Sequence, residues 1–109
     1  MINLKELLKK DFGVDYPISG GTGNSKDNPI VVHYEFPNDY SSIEYGVIRC
    51  IAIVRRIEWK LLRQSLIQHN GKKIDQLKIE AKWIENGQLI TQKENYYFDI
   101  TECFSIGCI

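Results

Sequence analysis

Two Asn-Gly pairs, Asn70-Gly71 and Asn86-Gly87, constrain this chain more than any other feature, because each separates two runs of alternating residues. Both central residues of a type I′ turn need positive φ, which Asn and Gly tolerate at little cost. Two such turns in succession predict a three-stranded meander over residues 57–68, 73–85 and 88–101. Opposed residues across a two-residue turn sum to a constant, so the register follows. Leu62 is expected opposite Ile79, Gln64 opposite Leu77, Leu66 and Phe98 opposite Asp75, Trp83 opposite Ile90 and Leu77 opposite Tyr96. That face is mostly apolar. The other carries Trp59, Leu61, Arg63, Lys78, Glu80, Lys82, Lys93 and Tyr97, with Glu80 opposite Lys93, and reads as the wetter side.

An apolar sheet face must be covered, and the N-terminal half supplies the cover. Asn3 with Glu6 fits a capping arrangement, Leu4, Leu7 and Leu8 share one helical stripe, and Gly13 marks a stop, predicting a helix over 3–11. Ile30 to Phe36, between Pro29 and Pro37, is β-branched and aromatic and predicts an edge strand. Ser41 with Glu44 makes a capping box, and Tyr40, Ile43, Val47, Ile51 and Val54, widened by Ile48, recur at spacings of three and four. The main helix is predicted over 39–55, with Arg55 and Arg56 at its negative pole. The expected fold class is α+β: an antiparallel sheet of about four strands, with the main helix packed on one face and a short N-terminal helix. With 109 residues, 43% of them hydrophobic, the chain reads as one domain over 1–109. A chain of this length buries roughly 60–70% of the surface it exposes when unfolded.

The residues that carry chemistry elsewhere do not converge here. The stretch SGGTGNSKDNP, Ser19 to Pro29, fails the spacing of a phosphate loop and leads into a strand rather than a helix, so it reads as a loop. Neither His33 nor His69 has a second ligand at metal spacing, and no GxSxG context singles out a nucleophile. No metal and no cofactor is expected. Cys50, Cys103 and Cys108 form no CxxC and read as reduced thiols, with a Cys103–Cys108 bridge the alternative under oxidant. Asp75, Gln64, Gln92 and Glu94 fall on the apolar face and need partners there, or a place at the sheet rim. Arg49, Arg55, Arg56, Lys60 and Arg63, with Trp59, read as a solvated helix end more readily than as an RNA-binding patch. No apolar run reaches the ~20 residues of a membrane span, and the N-terminus lacks the apolar core of a secretory signal, so a cytoplasmic protein is expected.

Net charge is zero, but residues 11–48 hold six carboxylates against Lys26 alone. An acidic block around an adaptable loop suits capture of a basic partner, since opposite potentials speed encounter and orient it. The stretches DYPISGGTGNSKDNPIVV, IEYGVIRC, IEWKLLRQSLI, the Asp75-Gln76 pair and ENYYFDIT, spread over residues 12–104, resemble small immunity proteins of bacterial polymorphic toxin systems, contact-dependent growth inhibition among them. The resemblance implies a non-enzymatic cytoplasmic protein that binds a cognate toxin domain, a nuclease and foremost a ribonuclease, and occludes its active site. On that reading Asp27, Glu35, Asp39 and Glu44 pair with basic residues of the toxin, and Tyr34 or Tyr40 supplies an aromatic anchor. The protein would act as a monomer, without direct contact to nucleic acid or membrane. The polar sheet face with Trp59, Arg63, Lys82 and Tyr97 is a second docking surface. Three other classes stay open: a small enzyme with Asp75 and Glu94 as its acid/base pair, an RNA-binding module using the arginines, and a homodimer paired through Ile30 to Phe36.

Overall fold

The computed structural model describes residues 3–35 and 39–106. In chain order the elements are α1 (Leu4–Phe12), β1 (Ile18–Gly20), β2 (Ile30–Val32), α2 (Tyr40–Arg55), β3 (Glu58–His69), β4 (Lys72–Glu85), β5 (Gln88–Asp99) and α3 (Thr101–Ile106). The strands form one sheet in the order β1-β2-β5-β4-β3. The class is α+β, as expected, but the sheet has five strands and is mixed, because β2 runs parallel to β5 through Ile30 opposite Phe98 and Val31 opposite Asp99.

The meander forms on its two Asn-Gly turns, with φ near 52° at Asn70 and Asn86 and 76–77° at Gly71 and Gly87. Pairing of β4 with β5 follows the expected register at every position, Asp75 to Phe98, Leu77 to Tyr96, Glu80 to Lys93 and Trp83 to Ile90 among them. Pairing of β3 with β4 follows it from His69 back to Arg63 and then slips: Leu61, not Leu62, stands opposite Ile79. Leu62 is the extra residue of a β-bulge, and an extra residue reverses the facing of everything before it. Trp59 and Leu61 therefore share the face of Ala81 and Ile79, and Trp59 packs against the core cluster instead of standing on the wet side. Alternation alone does not reveal such a bulge, since Leu61-Leu62 offers an apolar residue to either face.

Three expectations about the N-terminal half need correction. β2 ends at Val32 and lies inside the sheet, between β5 and β1, so it is no edge strand and has no free side for pairing into a homodimer. β1 takes that edge; its three residues, Ile18-Ser19-Gly20, are too few and too polar to show a period. The N-cap of α2 is Asp39, whose side chain accepts from the Ser42 N–H at 2.8 Å, two residues ahead of the Ser41 box. Phe36, Pro37 and Asn38 lie outside the described residues. The first helix matches its signals, with the Glu6 N–H donating to Asn3 Oδ1 at 2.9 Å and Gly13 left-handed at φ 69°.

The core lies between the sheet and the helices. Ile43, Val47 and Ile48 of α2 and Leu8 of α1 meet Ile18, Ile30, Val32, Leu77 and Phe98, joined by Ile100 and Cys103 from the C-terminal turn into α3. Burying each aliphatic side chain of this kind contributes roughly 1.5–3 kcal/mol. Gly46 lets Tyr16 lie directly against α2, since a Cβ there would overlap the Tyr16 phenol. The strand expected to reach residue 101 stops at Asp99, whose carboxylate accepts from the Thr101 N–H at 3.0 Å and turns the chain into α3. Cys50 and Cys103 are buried; Cys108, and with it the Cys103–Cys108 alternative, lies outside the described residues.

Candidate functional site

The glycine-rich stretch is the β1–β2 connection and bonds to itself. Gly21 N–H donates to the Pro29 carbonyl and Gly23 N–H to the Asn28 carbonyl, both at 2.9 Å, while the Gly23 carbonyl accepts from Tyr97 N–H. The Asn28 amide donates to Thr22 and Asn24. Gly23, at φ 80°, is buried where a side chain would press on Ile30 and the Tyr97 carbonyl. The loop's glycines serve its closure against β5, and its N–H groups do not converge on an anion.

The six residues expected to bind a partner are not gathered in one place. Asp27 is exposed and pairs with His69 Nε2 at 2.8 Å, tying the loop to the β3–β4 turn. Asp39 is exposed, and the Ser42 N–H and hydroxyl, with the Ser41 N–H, hold its carboxyl below the usual range. Glu35 lines a groove of about 240 Å³ together with the Val14–Pro17 segment and Ser42 and Ile43 of α2. Asp15 stands in the same groove, its carboxyl lowered by a 2.7 Å bond from Lys5 Nζ. Tyr34 keeps 36% of its surface exposed, and its N–H is held by the Glu102 carboxylate, which also meets His33. Tyr40 is half-buried against the core.

Glu44 is the correction among the six. It is fully buried on the inner side of α2, so its carboxyl takes no part in an exposed acidic surface. Its spacing already placed it there: Glu44 follows Ile43 and precedes Val47 and Ile48 on the apolar stripe. Neither carboxyl oxygen has a hydrogen-bond partner among the described residues. Burial, and then the adjacent Asp75 carboxyl, push its pKa up to about 10. A Glu44 that stays protonated is the physically cheaper state, since two ionised carboxylates in one desolvated site repel strongly.

Asp75 is likewise buried, and its Oδ2 accepts from Gln64 Nε2 at 2.6 Å. Gln64 Oε1 in turn accepts from the Tyr45 hydroxyl at 2.8 Å. A polar chain thus runs from α2 through β3 to β4, with Glu44 and Tyr45 entering from the same helix turn. The pattern puts Asp75 and Gln64 on the apolar face, in need of partners or a place at the rim; they find partners, and Glu44 beside them is not visible in that pattern. Glu94, the other carboxylate of that face, belongs to a separate group. Arg55 clamps both its oxygens, one at 2.7 Å, and also bonds Tyr96 Oη at 3.0 Å. That guanidinium holds Glu94 below the usual carboxylate range, aided by Gln92. Asp75 and Glu94 therefore sit in different networks and do not form one acid/base pair.

The basic residues are also dispersed. Arg55 is engaged with Glu94, Lys60 lies 3.8 Å from Glu80, and Trp59 is packed inward. Arg63 lines a shallow groove on the outer sheet face with Ser65, Gln76 and Lys78. Among the described residues no group of three His, Cys, Asp or Glu side chains is arranged to hold a metal, and no helix is long and apolar enough to cross a membrane. No protein-family model, curated protein or solved structure matches the chain significantly.

Proposed function

We propose that this protein is an immunity protein that neutralises a toxin domain by binding it, with a nuclease as the target. The observation that carries the reading is the acidic groove at the start of α2, where Asp15 and Glu35 flank an opening bordered by Ser42, with Asp39 at the adjacent helix cap. A carboxylate-lined groove of this size suits a lysine or arginine side chain from a basic partner, which would compete with Lys5 for Asp15. Tyr34, on the Glu35 side, is the exposed aromatic that supplies contact area beside the charges. Asp27 lies on the loop and acts on encounter rate rather than as a buried contact.

The proposal is tested with the domain encoded at the end of the reading frame upstream. Expressed alone, that domain should arrest growth, and co-expression of this chain should restore it. Asp39→Asn keeps a good helix cap while removing the charge, so combining it with Glu35→Gln separates binding from folding. The pair should weaken toxin binding by about ten- to a hundredfold, corresponding to about 1.4–2.8 kcal/mol, while the chain stays folded and its melting temperature falls by no more than a few degrees for the charge lost at the cap. Growth arrest that persists despite a folded, expressed chain overturns the function. Unchanged affinity in the double variant overturns the groove.

A further inference from the structure

The sheet is closed off unevenly. At one edge stands β1, with three residues; at the other stands β3, with twelve, and among the described residues no strand pairs with its outer side. Long edge strands offer a row of unpaired N–H and C=O groups, and soluble proteins ordinarily shorten or cover them. Here the edge has a bulge and the charges of Glu58, Lys60 and Arg63, but it also carries Leu61, Leu62 and Leu66, exposed by 38%, 40% and 53%. We infer that β3 pairs antiparallel with β3 of a second copy of this chain, extending the two five-stranded sheets into one.

The bulge selects the register. In an antiparallel pair related by a two-fold axis, opposed residues must face the same side of the sheet. With Leu62 spent in the bulge, eleven register positions remain between Glu58 and His69, and the middle one is Gln64. A two-fold axis on Gln64 uses the whole strand. It sets Arg63 opposite Ser65, the Leu61-Leu62 bulge opposite Leu66, Lys60 opposite Ile67, Trp59 opposite Gln68 and Glu58 opposite His69. Facing is kept at each of these positions, because Leu61 and Leu66 both lie on the helix side while Arg63 and Ser65 both lie on the outer side. No like charges oppose each other, and Glu58 meets a histidine at both ends of the ladder. The leucines that are exposed in one copy cover one another in two. A partner strand from another protein could use the same edge, but it would not receive this self-complementary order of residues.

The test requires no toxin and is therefore independent of the functional reading above. The whole chain, kept reduced, is followed by sedimentation from about 1 μM to about 1 mM, with amide hydrogen exchange at both ends of the series. Mass should rise to that of two chains as concentration increases, and amides of β3 should gain protection in parallel. Leu66→Lys should weaken association at least about tenfold, whereas Leu89→Lys, at the far hairpin, should leave it unchanged. A chain monomeric throughout overturns the inference, as does a dimer whose β3 amides exchange as fast as in the monomer. A dimer equally tight with Lys at position 66 overturns the Gln64-centred register. If Leu66→Lys does not fold, the wild-type exchange data decide.

Discussion

Glu44 is the residue in which folding and ionisation pull hardest against each other. In the unfolded chain it titrates as an ordinary carboxyl; in the fold its pKa is pushed up to about 10 by burial and by Asp75. A group with a raised folded pKa stabilises fully below its unfolded pKa, and that contribution fades as pH rises toward the folded value. Glu44→Gln keeps the shape, removes the ionisation and can donate its amide to Asp75. The variant should match the wild type near pH 4 and exceed it by several kcal/mol, up to about 5, at pH 8, measured by urea unfolding at both values. A variant less stable at pH 8 would show that the buried carboxyl is already accommodated as an anion. Glu44 also shows how far the sequence could be read: its place on the stripe was visible, but its acidic type outweighed its position.

Among the elements, β3 depends most on a single residue. Its bulge at Leu62 decides that Trp59 and Leu61 share the face of Ala81 and Ile79, with Trp59 packed on the core cluster. Deleting Leu62 should join Leu61 to Arg63 opposite Ile79 and Lys78 without changing any facing, so the fold should persist with a melting temperature shifted by only a few degrees (~1 kcal/mol). Deleting Ser65, inside regular pairing, turns Glu58 through Gln64 over if the bulge is kept, taking Trp59 from the core, or turns Arg63 inward if the bulge is lost, and should cost several kcal/mol in each case. Thermal melts followed by tryptophan fluorescence distinguish the two. The hairpin turns and their registers were legible because Asn-Gly geometry is local. The bulge was not, because two successive leucines satisfy either register and only the packing of Trp59 on the core cluster breaks the tie.

For the whole molecule, the titrating groups act in opposite directions. Asp15, Asp39, Glu94 and Glu102 all have lowered pKa values through Lys5, the Ser42 N–H, Arg55 and the Tyr34 N–H respectively. Their stabilisation is present above the unfolded carboxylate pKa and lost as pH falls through the folded values. Glu44 gives its largest contribution on the acid side and loses it as pH rises. Stability should therefore peak in mildly acidic solution, at about pH 5, and decline on both sides, as read from unfolding midpoints across pH. A maximum above pH 8 would contradict the assignment of Glu44. Removing Glu44 should move the peak toward neutrality, which ties the molecular profile to one side chain.

Local signals were enough for the α+β class, the meander with its β4–β5 register, the extents of α1 and α2, the cap of α1 and the acid-rich middle stretch, because turns and periodicity act over a few residues. Tertiary structure alone decided that β2 lies inside a mixed sheet, that Trp59 turns inward, that Glu44 meets Asp75, and that β3 rather than β2 is the long open edge. Each of these depends on contact between segments far apart in the chain. Such contacts are set by which surfaces must leave water together, and no local pattern records the partner.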